Sequence, residues 1–243
     1  MKEERLDHLL VERGLVSSRE KARALIAAGQ VLVDHQKVDK PGTRVNSEAK
    51  LRLIDGLPYV SRGGLKLEGA LNAFGIDLRD RVVMDVGAST GGFTDCALQR
   101  GARKVYAVDV GYGQLAWEIR KDPRVVNLER TNIRYLSREA IEEEGVEVIF
   151  IDTSFISIEK FLLHLLVFLK KGGILLGLIK PQFEVGKGEV GKGGVVKDPA
   201  LHRKVIERIT AFSRELGLGV LGVIESPLLG PKGNKEFFIH LQK

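Results

Sequence analysis

The stretch VVMDVGASTGGFTD, residues 82–95, decides the fold of most of this chain. It begins as a buried apolar strand and turns through a glycine-rich segment toward a helix. From about Tyr59 onward, similar strand-like runs alternate with amphipathic stretches, a pattern typical of a doubly wound, mostly parallel α/β sheet. The predicted strands are residues 82–86, 105–110, 125–128, 148–152, 174–180, 220–225 and 237–241.

The turn after the first strand favours a cofactor that places no phosphate there. In open α/β sheets, ligands bind beyond the carboxyl ends of the strands. Asp85 at this strand tip would repel a pyrophosphate, and Ser89 stands where a dinucleotide fingerprint has its second glycine. S-adenosylmethionine has no phosphate and carries an ammonium and a sulfonium, so it suits this acidic tip better than NAD does.

Further residues around this turn complete the predicted cofactor site. Glycines after the strand would let the backbone approach the ligand closely. Asp109, at the end of the second strand, can accept both ribose hydroxyls of either cofactor, and Asn132 can contact the adenine edge. The predicted cofactor-binding residues are Asp85, Gly87, Ser89, Gly91, Gly92, Phe93, Asp109, Val110 and Asn132.

Residues 1–58 read as a small α+β domain that precedes a larger domain of residues 59–243. Two short helices are followed by short strands at 31–34 and 50–55. In the second helix, Ser17 is the predicted N-cap in a capping box and Gly29 the predicted C-cap. Arg19 and Arg23, four residues apart, share a helix face that could grip a phosphate backbone or be only a solvated charged surface.

Composition narrows the class of protein and partner. The net charge is +6, and residues 1–66 hold 13 basic against 9 acidic residues, which favours an anionic partner for the N-terminal part. One cysteine and five scattered histidines predict no disulfide and no metal site. The charged start is unlike a secretory signal, and the most apolar segment, residues 161–169, is too short to span a membrane. We therefore expect a soluble, cytoplasmic protein.

Four charged residues are candidates for chemistry, three of them at strand ends: Lys66, Asp152, Lys180 and Glu236. Methylating a ribose 2′-hydroxyl requires an oxygen that loses its proton as the methyl group arrives. A lysine can act as the base if its charged form is disfavoured by burial or by a second ammonium. Alternatively, a charged lysine holds the oxygen in line with the methyl group, so that catalysis is mostly positioning.

The N-terminal segment RLDHLLVERGLVSSREKARALIAAGQVLVDHQKVDKPGTRV resembles the α-L RNA-binding module of a small-subunit ribosomal protein, pseudouridine synthases and tyrosyl-tRNA synthetases. The resemblance covers most of residues 5–55. It implies structured RNA as the partner, recognised mainly by shape and backbone contacts. The implied RNA-binding residues are Arg19, Lys21, Arg23 and Lys37.

The larger domain resembles the FtsJ-like ribose 2′-O-methyltransferases, and the whole chain resembles the TlyA family, often labelled hemolysin. The carrying motifs are SRGGLKL, DVGASTGGFTDC, VDVGYGQL, IDTSFIS, LIKPQFEVGK, GGVVKD and SPLLGPKGNKEFF. The resemblance implies a Rossmann-like class I methyltransferase fold, S-adenosylmethionine as cofactor, and Lys66, Asp152, Lys180 and Glu236 as the catalytic tetrad, with Lys180 as base.

The implied substrate is a cytidine 2′-hydroxyl in ribosomal RNA, within ribosomal subunits or their precursors. The chain stops at Lys243, just after its last strand, and resembles the shorter form of the family, which is associated with the large subunit alone. The exact nucleotide, the choice between free RNA and an assembled subunit, and the oligomeric state stay open.

Two alternative functions stay open as well: a membrane-active hemolysin and an RNA-binding ribosome assembly factor without catalysis. Base N-methylation is disfavoured, because the motif DTSF lacks the prolines of amino-group methyltransferases. Residues 186–194 have P-loop spacing, but Gly193 replaces the Ser or Thr that would bind magnesium. We interpret this run as a mobile basic loop beside the active site.

Overall fold

The computed structural model describes residues 3–27, 29–34, 36–53, 58–141 and 144–243, without the side chains of Lys37 and Lys187. The chain divides into two compact units, Met1–Pro58 and Tyr59–Lys243. The predicted RNA contact Lys37 therefore lies outside the described side chains.

The first unit combines two short helices with two small antiparallel sheets. The strand Glu3–Arg5 pairs with Arg44–Asn46, and the strand Val31–Val33 lies between Gln36–Val38 and Leu51–Leu53. One apolar cluster, which includes Leu6, Leu10, Ile26 and Val31, fills the unit. The elements are β1 (Glu3–Arg5), α1 (Leu6–Glu12), α2 (Arg19–Ala27), β2 (Val31–Val33), β3 (Gln36–Val38), β4 (Arg44–Asn46) and β5 (Leu51–Leu53).

The caps of α2 differ from the sequence prediction at one end. The Oγ of Ser18 accepts a hydrogen bond from the backbone N–H of Lys21 at 3.2 Å, so Ser18 caps the helix and the prediction of Ser17 is wrong by one residue. Adjacent serines are equivalent as caps in a sequence, and the start of the helix at Arg19 selects the second. Gly29 closes the other end as predicted, with φ of +67° and its N–H donating to the carbonyl of Ile26.

The second unit contains the seven strands predicted for residues 59–243, and most of their ends are shifted. The strands predicted at 105–110, 148–152 and 174–180 stop one or two residues early, so Asp109, Asp152 and Lys180 are loop residues just beyond the sheet. The elements are α3 (Arg62–Phe74), β6 (Val82–Val86), α4 (Gly92–Gln99), β7 (Lys104–Val108), α5 (Trp117–Arg120), β8 (Val125–Leu128), β9 (Val146–Ile151), α6 (Leu162–Leu165), β10 (Leu169–Ile179), α7 (Pro181–Glu184), α8 (Pro199–Glu215), β11 (Gly219–Glu225) and β12 (Phe237–Gln242).

These strands form one sheet in the order β11-β12-β10-β9-β6-β7-β8. Among the described strands of this sheet, β12 alone runs opposite to all the others. The chain winds from β6 outward through β7 and β8, then returns to add β9 and β10 on the other side of β6. The doubly wound, mostly parallel fold predicted from the sequence is confirmed, and its switch point lies between β6 and β9, where such folds bind ligands.

Apolar layers cover both faces of the sheet, which explains why its central strands are almost continuously apolar. One layer packs α6 and α8 against the sheet, and the other packs α3 and α4. In the second layer, the ring of Phe93 lies edge-on to Phe150 and stacked on Phe238, with centroid distances of 6.2 and 6.1 Å. Helix α4 and the glycine-rich turn before it are thereby fixed to the sheet.

Replacing Phe150 with Ala should lower the free energy of unfolding by about 3–5 kcal/mol, because the ring is fully buried and its loss leaves a cavity. Urea denaturation of the full chain measures this change. Leu221→Ala, at a side chain that is 55% exposed, is the control and should change stability little. An equal effect of the two substitutions would contradict this view of the core.

Candidate active site

Two neighbouring cavities lie at the switch point and share Gly87, Ser89 and Asp152. The first has a volume of about 500 Å³ and extends past the ends of β7 and β8. The second, of about 390 Å³, lies between the start of α3 and the loop before β12. Because Asp152 lines both, a group bound in one cavity can meet a group bound in the other beside this carboxylate.

Asp109 is held rigidly at the rim of the first cavity. Its Oδ2 accepts the backbone N–H of Ser89 at 2.8 Å, and its Oδ1 accepts that of Gly111 at 2.7 Å. These bonds join the glycine-rich turn to the loop after β7 and leave carboxylate lone pairs for hydroxyl groups of a ligand. Val110, which is 71% exposed, and Asn132 also line this cavity. The amide oxygen of Asn132 accepts the backbone N–H of Arg134 at 3.1 Å.

Two glycines of the turn are required by close approach. At Gly87, with φ of +89°, a Cβ atom would lie 2.5 Å from the carbonyl oxygen of Asp152. At Gly92, a Cβ atom would meet the hydroxyl of Ser61 and the start of α3. Gly91 is the N-cap of α4, and Phe93 forms the buried wall of the second cavity. The turn therefore brings β9, α3 and α4 together at one point.

Asp85 is fully buried in β6. Its Oδ2 accepts a hydrogen bond from the hydroxyl of Thr94 at 2.7 Å, and its Oδ1 has no hydrogen-bond partner among the described residues. Burial raises the pKa of this carboxyl to about 7, and the nearby charge of Asp152 adds to the rise, while the bond from Thr94 opposes it. Asp85 is not among the residues that line either cavity, so this predicted cofactor contact is a buried acid with one free acceptor behind the cavity walls.

The four predicted catalytic residues form two lysine–carboxylate pairs. Lys66, on α3, lines the second cavity, and its Nζ lies 2.5 Å from Oε2 of Glu236. The Nζ of Lys180 lies 2.5 Å from Oδ1 of Asp152. Both lysines are only 8% exposed and Glu236 is 1% exposed, so each buried charge has an opposite charge beside it.

Several site residues were missed in the sequence. Ser154 accepts a hydrogen bond from Nζ of Lys180 at 3.1 Å and lines the first cavity. Gln182 donates from its Nε2 to Oε1 of Glu236 at 3.4 Å, which ties α7 to the pair of Lys66 and Glu236. Both lie two residues after a predicted catalytic residue, and this proximity was the available signal.

Phe155 was also missed. It lines the first cavity, is 89% exposed, and has φ of +65°, a strained conformation for a residue with a side chain. Its ring lies 4.8 Å from that of Phe183.

The glycine and lysine run after α7 has local structure. Lys187–Glu189 form a 3₁₀ turn, and Gly191 pairs with Val195 across a tight loop. Asn234, 2% exposed, donates to the carbonyl of Gly194 and accepts from the N–H of Val196. The run is therefore tied to the loop that carries Glu236, and its mobility stays a prediction.

In the first unit, the predicted RNA-binding face is partly engaged in an ion-pair cluster. Asp7 is fully buried and receives hydrogen bonds from Arg5 and from Arg19, the latter at 3.1 Å. The pKa of Asp7 is lowered to about 2, and the hydrogen bond from Arg5 is the largest cause. Lys21 and Arg23 are exposed, and Arg23 shares a shallow cavity with Arg19. Arg19 thus supports the fold of this unit as well as its surface charge.

Glu4, His8 and Glu12 bring possible metal-ligand atoms within 4.8 Å of one another on this unit. The side chains of His8 and Glu12 are more than half exposed and lie 4.0 Å apart at their closest charged atoms. His8 and Glu12 lie one turn apart in α1, which brings their side chains together.

Comparisons with known proteins agree with this architecture. Residues 59–243 match the model of the FtsJ-like methyltransferases, and residues 4–51 match the S4 domain. The 16S/23S rRNA (cytidine-2′-O)-methyltransferase TlyA of Mycobacterium tuberculosis is 48% identical, with 98% of this chain and 89% of that protein covered. Hemolysin A of Brachyspira hyodysenteriae is 39% identical, with 97% and 98% covered.

An S-adenosylmethionine-dependent methyltransferase from Mesorhizobium loti shares the fold, with a TM-score of 0.55 at 12% identity over 73% of this chain and 98% of that one. Within the described residues, no helix has the combined length and apolar character needed to cross a membrane.

Asp85 should make stability depend on pH. In the folded protein its carboxyl stays protonated up to about pH 7, whereas in the unfolded chain it ionises above about pH 4. The stabilisation that the neutral carboxyl gives to the folded protein is fully present below pH 4 and is lost as the pH rises toward 7. Asp85→Asn mimics the neutral acid. Its free energy of unfolding, relative to that of the wild type, should therefore rise by about 1.4 kcal/mol per pH unit across this window.

Urea denaturation of the cofactor-free protein between pH 4 and 8 measures this difference. Asp80→Asn, at an exposed carboxylate, is the control for the chemical change itself. A difference between wild type and Asp85→Asn that is constant across the range would show that Asp85 does not titrate as described.

Proposed function

The chain belongs to the FtsJ-like methyltransferases and, within them, to the TlyA family, and we propose that it transfers a methyl group from S-adenosylmethionine to a cytidine 2′-hydroxyl in ribosomal RNA. The observation that carries this proposal is the pair of lysine–carboxylate contacts at the junction of two cavities. One cavity is then available for the methyl donor and the other for the ribose. Because the proposed substrate is ribosomal RNA, we expect the protein to act in the cytoplasm.

The first cavity suits S-adenosylmethionine. Asp109 would accept the ribose hydroxyls, and Asn132 would lie beside the adenine. Gly87 lines both cavities and lies too close to the backbone of Asp152 for a Cβ atom, so the methionine part would pass along bare backbone at this turn. Asp85, buried two residues earlier, has one free acceptor. When bound, the cofactor supplies an electrophilic methyl group on its sulfonium.

Lys180 and Asp152 would act on the acceptor hydroxyl at the junction of the cavities. The 2.5 Å contact between Nζ and the Asp152 carboxylate fixes the position of the lysine, which supports the positioning role. The ammonium would donate a hydrogen bond to the ribose oxygen and hold it in line with the methyl group. Asp152, whose side chain is 23% exposed and lines both cavities, would accept the hydroxyl proton.

Lys66 and Phe155 would fix the nucleotide on either side of this oxygen. Lys66 is held by Glu236 and presents a hydrogen-bond donor to the second cavity. The exposed ring of Phe155 offers a surface on which an unstacked base can lie. The first unit would add affinity through phosphate contacts from Arg19, Lys21 and Arg23.

The choice of ribosomal RNA rests on family membership and on the S4 domain. We expect the modified cytidine in the large-subunit RNA, and the assay should cover both subunits, because the relative with 48% identity is named for both. Mapping of 2′-O-methylation in both rRNAs, with and without an active gene for this protein, tests the proposal. Identical maps would refute it.

Lys180→Ala should lower kcat at least about 100-fold and change the dissociation constant of S-adenosylmethionine less than about twofold, because the lysine positions the acceptor and not the donor. Single-turnover methyl transfer and calorimetry measure these quantities. Lys171→Ala, at an exposed position in β10, the strand that leads to Lys180, is the matched control. Equal loss of transfer and cofactor binding would contradict the assigned role.

Lys180→Arg separates the two roles of this lysine. Arginine keeps a positive charge but does not act as a base. We expect it to retain at least about tenfold more activity than Lys180→Ala. If both variants are equally inactive, the general-base role is favoured instead.

Replacing both Lys21 and Arg23 with Ala should weaken rRNA binding and reduce the slope of log affinity against log salt by about 0.7–0.9 for each lost phosphate contact. Thermal stability should stay near that of the wild type, because both side chains are exposed. Arg19→Ala should instead lower both affinity and stability, since it leaves the buried Asp7 with one cation fewer. The control is Arg214→Ala, which removes an exposed cation on α8. Unchanged affinity in the double variant would mean that Lys21 and Arg23 form only a solvated charged surface.

A further inference from the structure

Another buried carboxylate, that of Glu184, lies near the proposed tetrad and is not one of its members. Glu184 is the last residue of α7, four positions after Lys180, and its side chain is only 2% exposed. Burial raises the pKa of its carboxyl. A buried acid destabilises a fold unless its oxygens are satisfied, so its partners show what it holds together.

Those partners come from two other parts of the second unit. Its Oε1 accepts the backbone N–H of Ile158 at 3.0 Å, in the loop that begins with Asp152. Its Oε2 lies 2.9 Å from Nη2 of Arg208, on α8. Arg208 also donates from Nη1 to the backbone carbonyl of Glu184 at 3.0 Å and from Nε to Glu159 at 3.1 Å.

The two loops that carry the proposed catalytic residues are therefore joined at both ends. At the near end, Lys180 contacts Asp152 and Ser154. At the far end, Glu184 and Arg208 bind the same two loops to each other and to a long helix whose buried residues pack in the core. If the far end opened, α7 could shift and carry Lys180 away from Asp152.

We propose that Glu184 and Arg208 form a positioning pair that sets the distance of Lys180 from Asp152. The inference rests on the proposed methyl transfer for its kinetic consequences. Neither residue is among those that line the two cavities. Lys180 is not among them either, but it contacts Asp152 and Ser154, which are, so the pair acts through Lys180 and these two residues. A displacement of about 1 Å at a reacting group can cost about 100-fold in rate, so a small shift of α7 would suffice.

Glu184→Gln is the principal variant. It keeps an acceptor for the N–H of Ile158 and removes the charge that faces Arg208. We expect kcat to fall about 10- to 100-fold, while KM for rRNA and the dissociation constant of S-adenosylmethionine change less than about threefold. Arg208→Gln should show the same pattern, and the double variant should lose no more than either single one, because the two residues act as a unit.

The matched control is Glu147→Gln. Glu147 makes the same kind of contact at the amino ends of β9 and β6, with Oε1 3.2 Å from Nη1 of Arg81 and Oε2 accepting the N–H of Val82 at 2.9 Å. All assays are run well below the melting temperature of each variant. If Glu184→Gln does not fold, Arg208→Gln replaces it, because the Arg208 side chain is 44% exposed.

A readout that needs no catalysis accompanies the kinetics. Acylation of Lys180 by an N-hydroxysuccinimide ester, followed by mass spectrometry with Lys171 as internal reference, should be several-fold faster in Glu184→Gln, because the lysine is less firmly held. An unchanged acylation rate, a kcat within twofold of the wild type, or an equal loss in Glu147→Gln would overturn the inference. A wild type that transfers no methyl group would instead refute the proposed function, and the acylation result would still decide the positioning role.

Discussion

The contact between Lys180 and Asp152 is the interaction on which the site depends. Two charges with little access to water are costly to bury and are tolerated only when paired closely. The 2.5 Å distance requires that the loops after β9 and β10 leave the sheet side by side, which parallel pairing of these strands provides. The second pair, Lys66 with Glu236, meets the same requirement from α3 and the antiparallel strand β12.

The glycine-rich turn links this pair of charges to the cofactor cavity. A single position, Gly87, lies against the backbone carbonyl of Asp152, while Ser89 two residues later binds Asp109. The turn thus contacts the ends of β7 and β9 at once. Any side chain at Gly87 would collide with the backbone of Asp152, and both residues line both cavities. The proposed sites for the methyl donor and for the acceptor therefore depend on the same few atoms.

The two units divide the proposed task. The first unit holds its positive surface in place with a buried carboxylate, Asp7, and so presents arginines in a fixed arrangement. The second unit buries the two lysines of the proposed tetrad against carboxylates. In both units a buried acid orders basic side chains, and the difference lies in exposure: Arg19 is more than half exposed, whereas Lys180 is nearly enclosed. The exposed cation suits phosphate contacts, and the enclosed one suits chemistry at a single oxygen.

The sequence by itself determined the succession of strands along the chain, the division near residue 58 and the charged residues that follow the strands. It could do so because apolar periodicity and glycine positions are local properties. It also led to the FtsJ-like family through motifs that run along the chain. It did not show that Asp85 is enclosed, that Ser154 and Phe155 line the first cavity, or that Glu184 accepts the N–H of Ile158. Only the tertiary structure decided these points, because burial and pairing depend on which loops the parallel sheet brings together, and residues far apart in the chain carry no local signal of that meeting.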